Sequence, residues 1–180
     1  MRIITGKKRG LKLESPESTQ IRPTLDRIKE SIFNIIHPIK ENSIVLDLFT
    51  GTGNIGLEFI SRGSKKVYFI DSSDYSIELT KKNIEKCKFE DESILIKDDY
   101  ETALKKINKD EVFDYIYIDP PYGKIDINNI LKNIINSNII SDNTLIIFEN
   151  NQNSEINIKD ISIVDERNYG NIFIKFMKKR

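Results

Sequence analysis

The residue types best suited to chemistry are gathered in Asp119-Pro-Pro-Tyr122, which follows the apolar run Tyr115-Ile-Tyr-Ile118. Two consecutive prolines fix two backbone angles and remove two amide donors. The Pro120 carbonyl is therefore expected as a rigid, outward-facing acceptor beside the Asp119 carboxylate. An exocyclic amine on a nucleobase is a weak nucleophile, because its lone pair is delocalised into the ring. Two acceptors holding its hydrogens would favour the pyramidal form and aim the lone pair at an electrophilic methyl group. Tyr122 offers a flat face for an unpaired or flipped base, a contact worth about 1–3 kcal/mol. The plainer reading, a rigid turn ending a strand with a surface tyrosine, loses weight because of what precedes it in the chain.

Upstream lies Asp47-Leu-Phe-Thr-Gly51-Thr-Gly53-Asn-Ile-Gly56, which satisfies G-x-G-x-x-G at a strand end and helix start. Glycines are required there because the chain turns through angles a side chain blocks and because a ligand lies against bare backbone. Nineteen residues beyond Thr52, Asp71 ends the next strand, placed to accept hydrogen bonds from ribose hydroxyls. This pair of features fits NAD as well as S-adenosylmethionine. Asp47 favours the methyl donor, since a carboxylate just before the loop would repel a pyrophosphate and attract a methionyl ammonium. After the third strand, Lys97-Asp98-Asp99-Tyr100 supplies an acid for the adenine amine, with Asp99 preferred and Tyr100 alongside. The same acids also suit a helix cap, and the two roles can coexist. The expected cofactor set is thus Asp47, Thr50, Gly51, Gly53, Asn54, Asp71, Ser72, Asp99 and Tyr100, and the expected catalytic set is Asp119, Pro120 and Tyr122.

These motifs need a scaffold that brings strand ends to one edge. Apolar runs at Ile44 to Leu48, Val67 to Ile70, Ile94 to Ile96, Tyr115 to Ile118 and Leu145 to Phe148 alternate with helical patterns near 55–62, 74–88, 100–107 and 127–137. Near-continuous apolar strands separated by helices predict a parallel, doubly wound α/β sheet covered on both faces. Ile158 to Val164 and Ile172 to Met177 leave no room for a crossover helix between them, so a terminal antiparallel hairpin is expected, joined by a loop over 165–171. Residues 1–40 read as a basic hairpin-and-helix extension and residues 41–180 as the main domain. Within the first 30 residues eight Lys and Arg face four Asp and Glu, although the whole chain balances 28 against 28. The hairpin displays Lys7, Lys8 and Arg9 between Gly6 and Gly10. A helix capped by Thr24 follows, with an apolar stripe through Leu25, Ile28, Ile32, Ile35 and Ile36.

Composition removes several classes. A neutral total excludes a uniformly basic nucleic-acid binder. One cysteine, Cys87, excludes an intramolecular disulfide, and with one histidine, His37, it cannot build a closed zinc site, so no metal is expected. No stretch has signal-peptide or membrane-span character, which makes the cytoplasm the expected compartment.

In these motifs the chain resembles the RsmD family of small-subunit ribosomal RNA guanine-N2 methyltransferases, within the Rossmann-like, class I S-adenosylmethionine enzymes. The resemblance covers Arg2-Ile-Ile with Gly6-Lys-Lys-Arg-Gly10, Arg22-Pro-Thr24 through Asn34, Asp47 through Glu58, Ser61-Arg-Gly63, Asp71, Asp119 to Tyr122, Glu149 and Arg167-Asn-Tyr-Gly170. It implies methylation of one guanine amine in 16S rRNA, on an assembled or partly assembled particle, with Arg22 and Thr24 over the cofactor or the target nucleotide, where sequence alone also allows a helix cap and its neighbour. Lys7, Lys8 and Arg9, the main basic cluster, are expected to contact RNA phosphates in preference to forming a solvated turn, and a monomer is expected. The sequence departs from the family at Lys8, where an aromatic is usual, and at Thr50 and Asn54, where small residues are usual. A DNA adenine or cytosine amino-methyltransferase would use the same tetrapeptide, but the chain has no length for a domain reading the major groove. A non-catalytic RNA-binding assembly factor is the alternative from another class.

Overall fold

Every apolar run expected as a strand is one, and three of the intervening helices begin at a side chain that satisfies an open amide. The computed structural model describes residues 1–16, 26–107, 110–121, 123 and 125–180. The order is α1 (Asp26–Ile35), β1 (Ile44–Leu48), α2 (Asn54–Ser61), β2 (Lys66–Asp71), α3 (Asp74–Cys87), β3 (Ser93–Lys97), α4 (Tyr100–Lys106), β4 (Phe113–Ile118), α5 (Ile127–Asn136), β5 (Ile140–Asn150), β6 (Ile161–Tyr169) and β7 (Ile172–Lys179). Ser73, Asp99 and Asp126 cap α3, α4 and α5, whereas α2 starts at Gly53 with no side-chain cap.

The seven strands form one sheet in the order β3-β2-β1-β4-β5-β7-β6. The first five are parallel, β7 inserts antiparallel beside β5, and β6 pairs antiparallel with β7. This is a Rossmann-like α/β sheet closed by an antiparallel hairpin.

Three boundaries differ from the sequence reading, the first being β6, which starts at Ile161 after a turn at 159–160 and not at Ile158. β5 starts at Ile140, five residues before the apolar run, because the pairing with β4 shifts between Phe113 and Tyr115 and lets polar Asp142 and Asn143 sit on an exposed bulge. Residues 165–169, read as loop, extend β6. They are polar because the edge of the sheet faces water, and the turn is only Gly170 and Asn171, with Gly170 at φ 67°.

Two apolar layers cover the sheet. Leu46, Ile70, Ile116, Ile118 and Phe148 pack with α4 and α5 on one face. On the other, Val45, Val67, Phe69, Tyr115 and Ile147 pack with α2, α3 and α1, and Ile3 and Leu13 of the N-terminal arm join that same cluster. The arm is the expected hairpin: Arg2 bridges Lys12, Ile3 N donates to Leu11 O (3.0 Å) and Gly10 N to Ile3 O (2.8 Å). Its tip is pressed on the end of α2. Lys7 N donates to Ser61 O (2.7 Å), and Gly6 sits at φ 88° where a Cβ would lie 1.8 Å from that oxygen, so only glycine fits.

Candidate functional site

The parallel register delivers the expected residues to one edge. Leu48 of β1 pairs with Ile70 of β2 and Ile118 of β4, and Ile70 pairs with Ile96 of β3, so all four carboxyl ends are level. Hydrogen bonds between the strand ends tie them together. Thr50 N donates to Ile70 O (2.9 Å), Asp98 N to Asp71 O (3.0 Å) and Asp119 N to Leu48 O (3.4 Å). In open α/β sheets ligands collect in the crevice at this edge.

The glycine loop is fixed by acids on both sides. Asp47 is buried, and its Oδ2 accepts from Thr50 Oγ1 (2.8 Å) and Gly56 N (3.0 Å), lacing the end of β1 to the first turn of α2. Burial pushes its carboxyl up to about 7, although these two donors favour the ionised form. Asp71 accepts from Gly51 N on Oδ2 (3.0 Å) and from Ser73 N on Oδ1 (2.9 Å), next to exposed Ser72. Gly51 and Gly53 have φ of 57° and 75°. At Gly56 a Cβ would come 2.3 Å from the Phe69 ring, so the third glycine serves helix-on-strand packing.

Asp99 is the N-cap of α4, accepting from Thr102 N (2.9 Å), and those backbone and side-chain bonds hold its carboxyl below the usual carboxylate range. Asp98 instead takes Lys106. Tyr100 lies against Phe49, ring centroids 5.7 Å apart, across the space between the β1 and β3 ends. Phe49 adopts φ 66°, an uncommon angle for a bulky residue and one the sequence did not signal. Asp119 is partly exposed at the end of β4, and Pro120 behind it is buried. Tyr122, Arg22 and Thr24 lie outside the described residues.

Asn54, expected toward the cofactor, has its carbonyl oxygen held by Lys29 Nζ at 2.7 Å, facing α1. Lys29 itself, one of the eight Lys and Arg of the first 30 residues, is fully buried and pairs with Glu58 at 3.2 Å. Of the hairpin cations, Lys7 stands 3.9 Å from Glu92, Lys8 lies 5.8 Å over the Phe89 ring, and Arg9 is exposed.

Sequence reasoning also passed over a buried pair beside the site, where Tyr117 donates to Glu149 of β5. Its signal was available, since a tyrosine and an acid on apolar neighbouring strands need each other. Among the described residues no three His, Cys, Asp or Glu side chains cluster as metal ligands, and no helix is long and apolar enough to cross a membrane.

The strand order, the antiparallel β7, the glycine loop after β1 and the acid ending β2 define the class I methyltransferase fold. The solved structure titled "Putative methyltransferase yhhF from Escherichia coli" superposes with a TM-score of 0.87 at 23% identity, over 100% of this chain and 98% of that one. The family model described as "Conserved hypothetical protein 95" matches residues 1–178. The Bacillus subtilis protein named "Putative rRNA methyltransferase YlbH" is 32% identical over 183 residues, 100% of both chains. "Ribosomal RNA small subunit methyltransferase D" of Haemophilus influenzae is 37% identical over 124 residues, 68% of this chain and 64% of that protein. The chain belongs to the RsmD family.

Proposed function

We propose that this protein transfers a methyl group from S-adenosylmethionine to the exocyclic N2 amine of a guanine in small-subunit ribosomal RNA. The observation that carries the reading is the register that levels Asp119 with the loop opened by Asp47, through Leu48 and Ile118. The residues present fit the cofactor. Gly53 gives the start of α2 no side-chain cap and leaves a cradle that a Cβ would narrow against Thr80, and Asn54 Nδ2 is buried without a hydrogen-bond partner. Asp71 and Ser72 stand for the ribose, and Asp99, Tyr100 and Phe49 border the adenine side.

The bound sulfonium supplies an electrophilic methyl carbon. Asp119 and the Pro120 carbonyl accept the two amine hydrogens and direct the nitrogen lone pair at it. The N–C bond forms as the C–S bond breaks, S-adenosylhomocysteine leaves, and one N2 proton departs along the Asp119 hydrogen bond. Holding the two reactants in line is the largest service such a site performs. Tyr122 stacks the base. Small-subunit particles from a strain lacking its own enzyme, incubated with methyl-labelled S-adenosylmethionine, should take up about one label per particle. Label on duplex DNA instead would favour the DNA amino-methyltransferase, and cofactor binding with no transfer would favour the assembly factor.

Asp47 gives this reading a pH signature. Its carboxyl is largely protonated below about 7, and the methionyl ammonium requires it ionised, so acid competes with the cofactor. S-adenosylhomocysteine affinity should rise roughly tenfold from pH 5.5 to 7.0, a range in which the ligand's α-amino group stays cationic. Asp47→Asn should bind more weakly and flatten the profile, which calorimetry at four pH values checks.

The arm gives it a salt signature. Changing Lys7, Lys8 and Arg9 to alanine keeps the backbone bonds from Lys7 and Lys8 to Ser61, so the hairpin stays docked. RNA binding should weaken about tenfold near physiological salt, and the slope of log K on log salt should fall by about one for each phosphate no longer neutralised, with cofactor affinity within twofold. An unchanged slope would take the hairpin out of the RNA surface.

A further inference from the structure

The residues flanking Gly53 are each held by a buried polar relay that begins on the backbone of the N-terminal arm. On one side, Lys29 Nζ donates to Arg2 O (2.6 Å) and to Asn54 Oδ1 (2.7 Å) and pairs with Glu58 (3.2 Å). Glu58 in turn accepts from Ile4 N (2.7 Å), Thr5 N (3.0 Å) and Arg62 Nε (2.8 Å), so both of its oxygens are filled. On the other side, Asn83 of α3 accepts from Glu14 N (2.7 Å) and donates to Glu14 O (3.2 Å) and Thr52 O (2.9 Å). Thr52 Oγ1 also donates to Met1 Sδ at 3.3 Å. Lys29, Glu58 and Asn83 have no exposed surface.

A fully buried Lys–Glu pair is a poor source of net stability, because desolvating two charges costs about what their attraction returns. What this one does is geometric: it fixes where α2 begins and which way the Asn54 amide faces. We propose that Lys29 and Asn83 are positioning residues for the cofactor loop, through which the docked arm braces the turn at Gly53 from both sides. The arm is then part of the cofactor site as well as a surface for RNA. The inference rests on the reading that this loop binds S-adenosylmethionine.

Lys29→Met keeps the alkyl length and removes all three polar partners, leaving Glu58 with Arg62 and two amides. The variant should bind S-adenosylhomocysteine about tenfold more weakly and melt at a lower temperature. Arg62→Met breaks the other half of the Glu58 pairing at the far end of α2, so it should lower the melting temperature while cofactor affinity stays within twofold. Asn83→Asp keeps the acceptor for Glu14 N but sets an oxygen against Thr52 O. It should raise KM for the cofactor about tenfold with kcat at saturation within threefold. If Arg62→Met weakens cofactor binding as much as Lys29→Met does, or if Asn83→Asp leaves KM unchanged, the network is structural alone and the proposal is wrong. A wild-type protein that failed to bind S-adenosylhomocysteine would instead overturn the cofactor reading.

Discussion

Replacing Asp119 with alanine should lower methyl transfer by about 10²–10³-fold while S-adenosylhomocysteine affinity stays within about threefold. The size follows from removing one preorganised acceptor aimed at charge that develops only in the transition state. The split follows from position. Asp119 leaves β4 one residue past Ile118, whereas the groups assigned to the cofactor sit at the ends of β1, β2 and β3 and in the loop after β1. Asp119→Asn should fall between wild type and Asp119→Ala, since it keeps one acceptor oxygen but cannot follow the departing proton as a carboxylate does. Single-turnover transfer to small-subunit particles, beside calorimetry with the product, separates the two quantities. Equal activity in wild type and Asp119→Ala would remove this residue from the chemistry.

The second large effect is expected at Gly53. Its φ is 75°, and a Cβ there would stand 2.9 Å from Thr80 Cγ2 and 3.5 Å from Leu57 Cδ1. Gly53→Val therefore combines left-handed strain, of order 1–3 kcal/mol, with bulk driven against Thr80 and Leu57, which displaces the loop proposed to carry the ligand. Cofactor binding should weaken at least about a hundredfold. Gly10→Ala is the control. Gly10 sits at φ 83° in the arm with nothing within 4 Å of the added carbon, so it carries strain without intrusion. That variant should lose a little stability and keep its cofactor affinity, as thermal melts and product titrations on both proteins will show.

The strands most readable from the sequence were those buried on both faces. Ile44–Leu48 was found to the residue, because a short apolar run bounded by polar residues has few other uses in a soluble chain. Edge strands were less legible. Residues 165–169 of β6 face water on a half-covered edge and carry the polar composition of a loop, and in the interior strand β5 the exposed bulge at Asp142 and Asn143 gave its start the same polar look.

At the site, the glycine loop, Asp71 and Asp119 were legible because their spacing is tied to strand ends. Lys29 drew no reading of its own because a lysine near Arg27 in a basic stretch looks like one more surface cation. The opposing clue was Glu58 within Asn-Ile-Gly-Leu-Glu-Phe-Ile-Ser, a helix buried along its whole length. A buried acid there required a buried cation, and Lys29 falls beside Ile28 and one turn from Ile32 and Phe33 on the apolar stripe of α1. Phe49 gave no clue, since its left-handed backbone comes from how β1 enters the loop and not from its own type.

In the proposed reaction, catalysis comes down to an amine held against a methyl donor at the end of β4. The most direct measurement is the identity of the nucleoside that acquires the label when small-subunit particles lacking the modification are treated, digested and separated by liquid chromatography with mass spectrometry. The prediction is N2-methylguanosine at one site, abolished by Asp119→Ala. Label on a ring nitrogen, a ribose oxygen or adenine would contradict it.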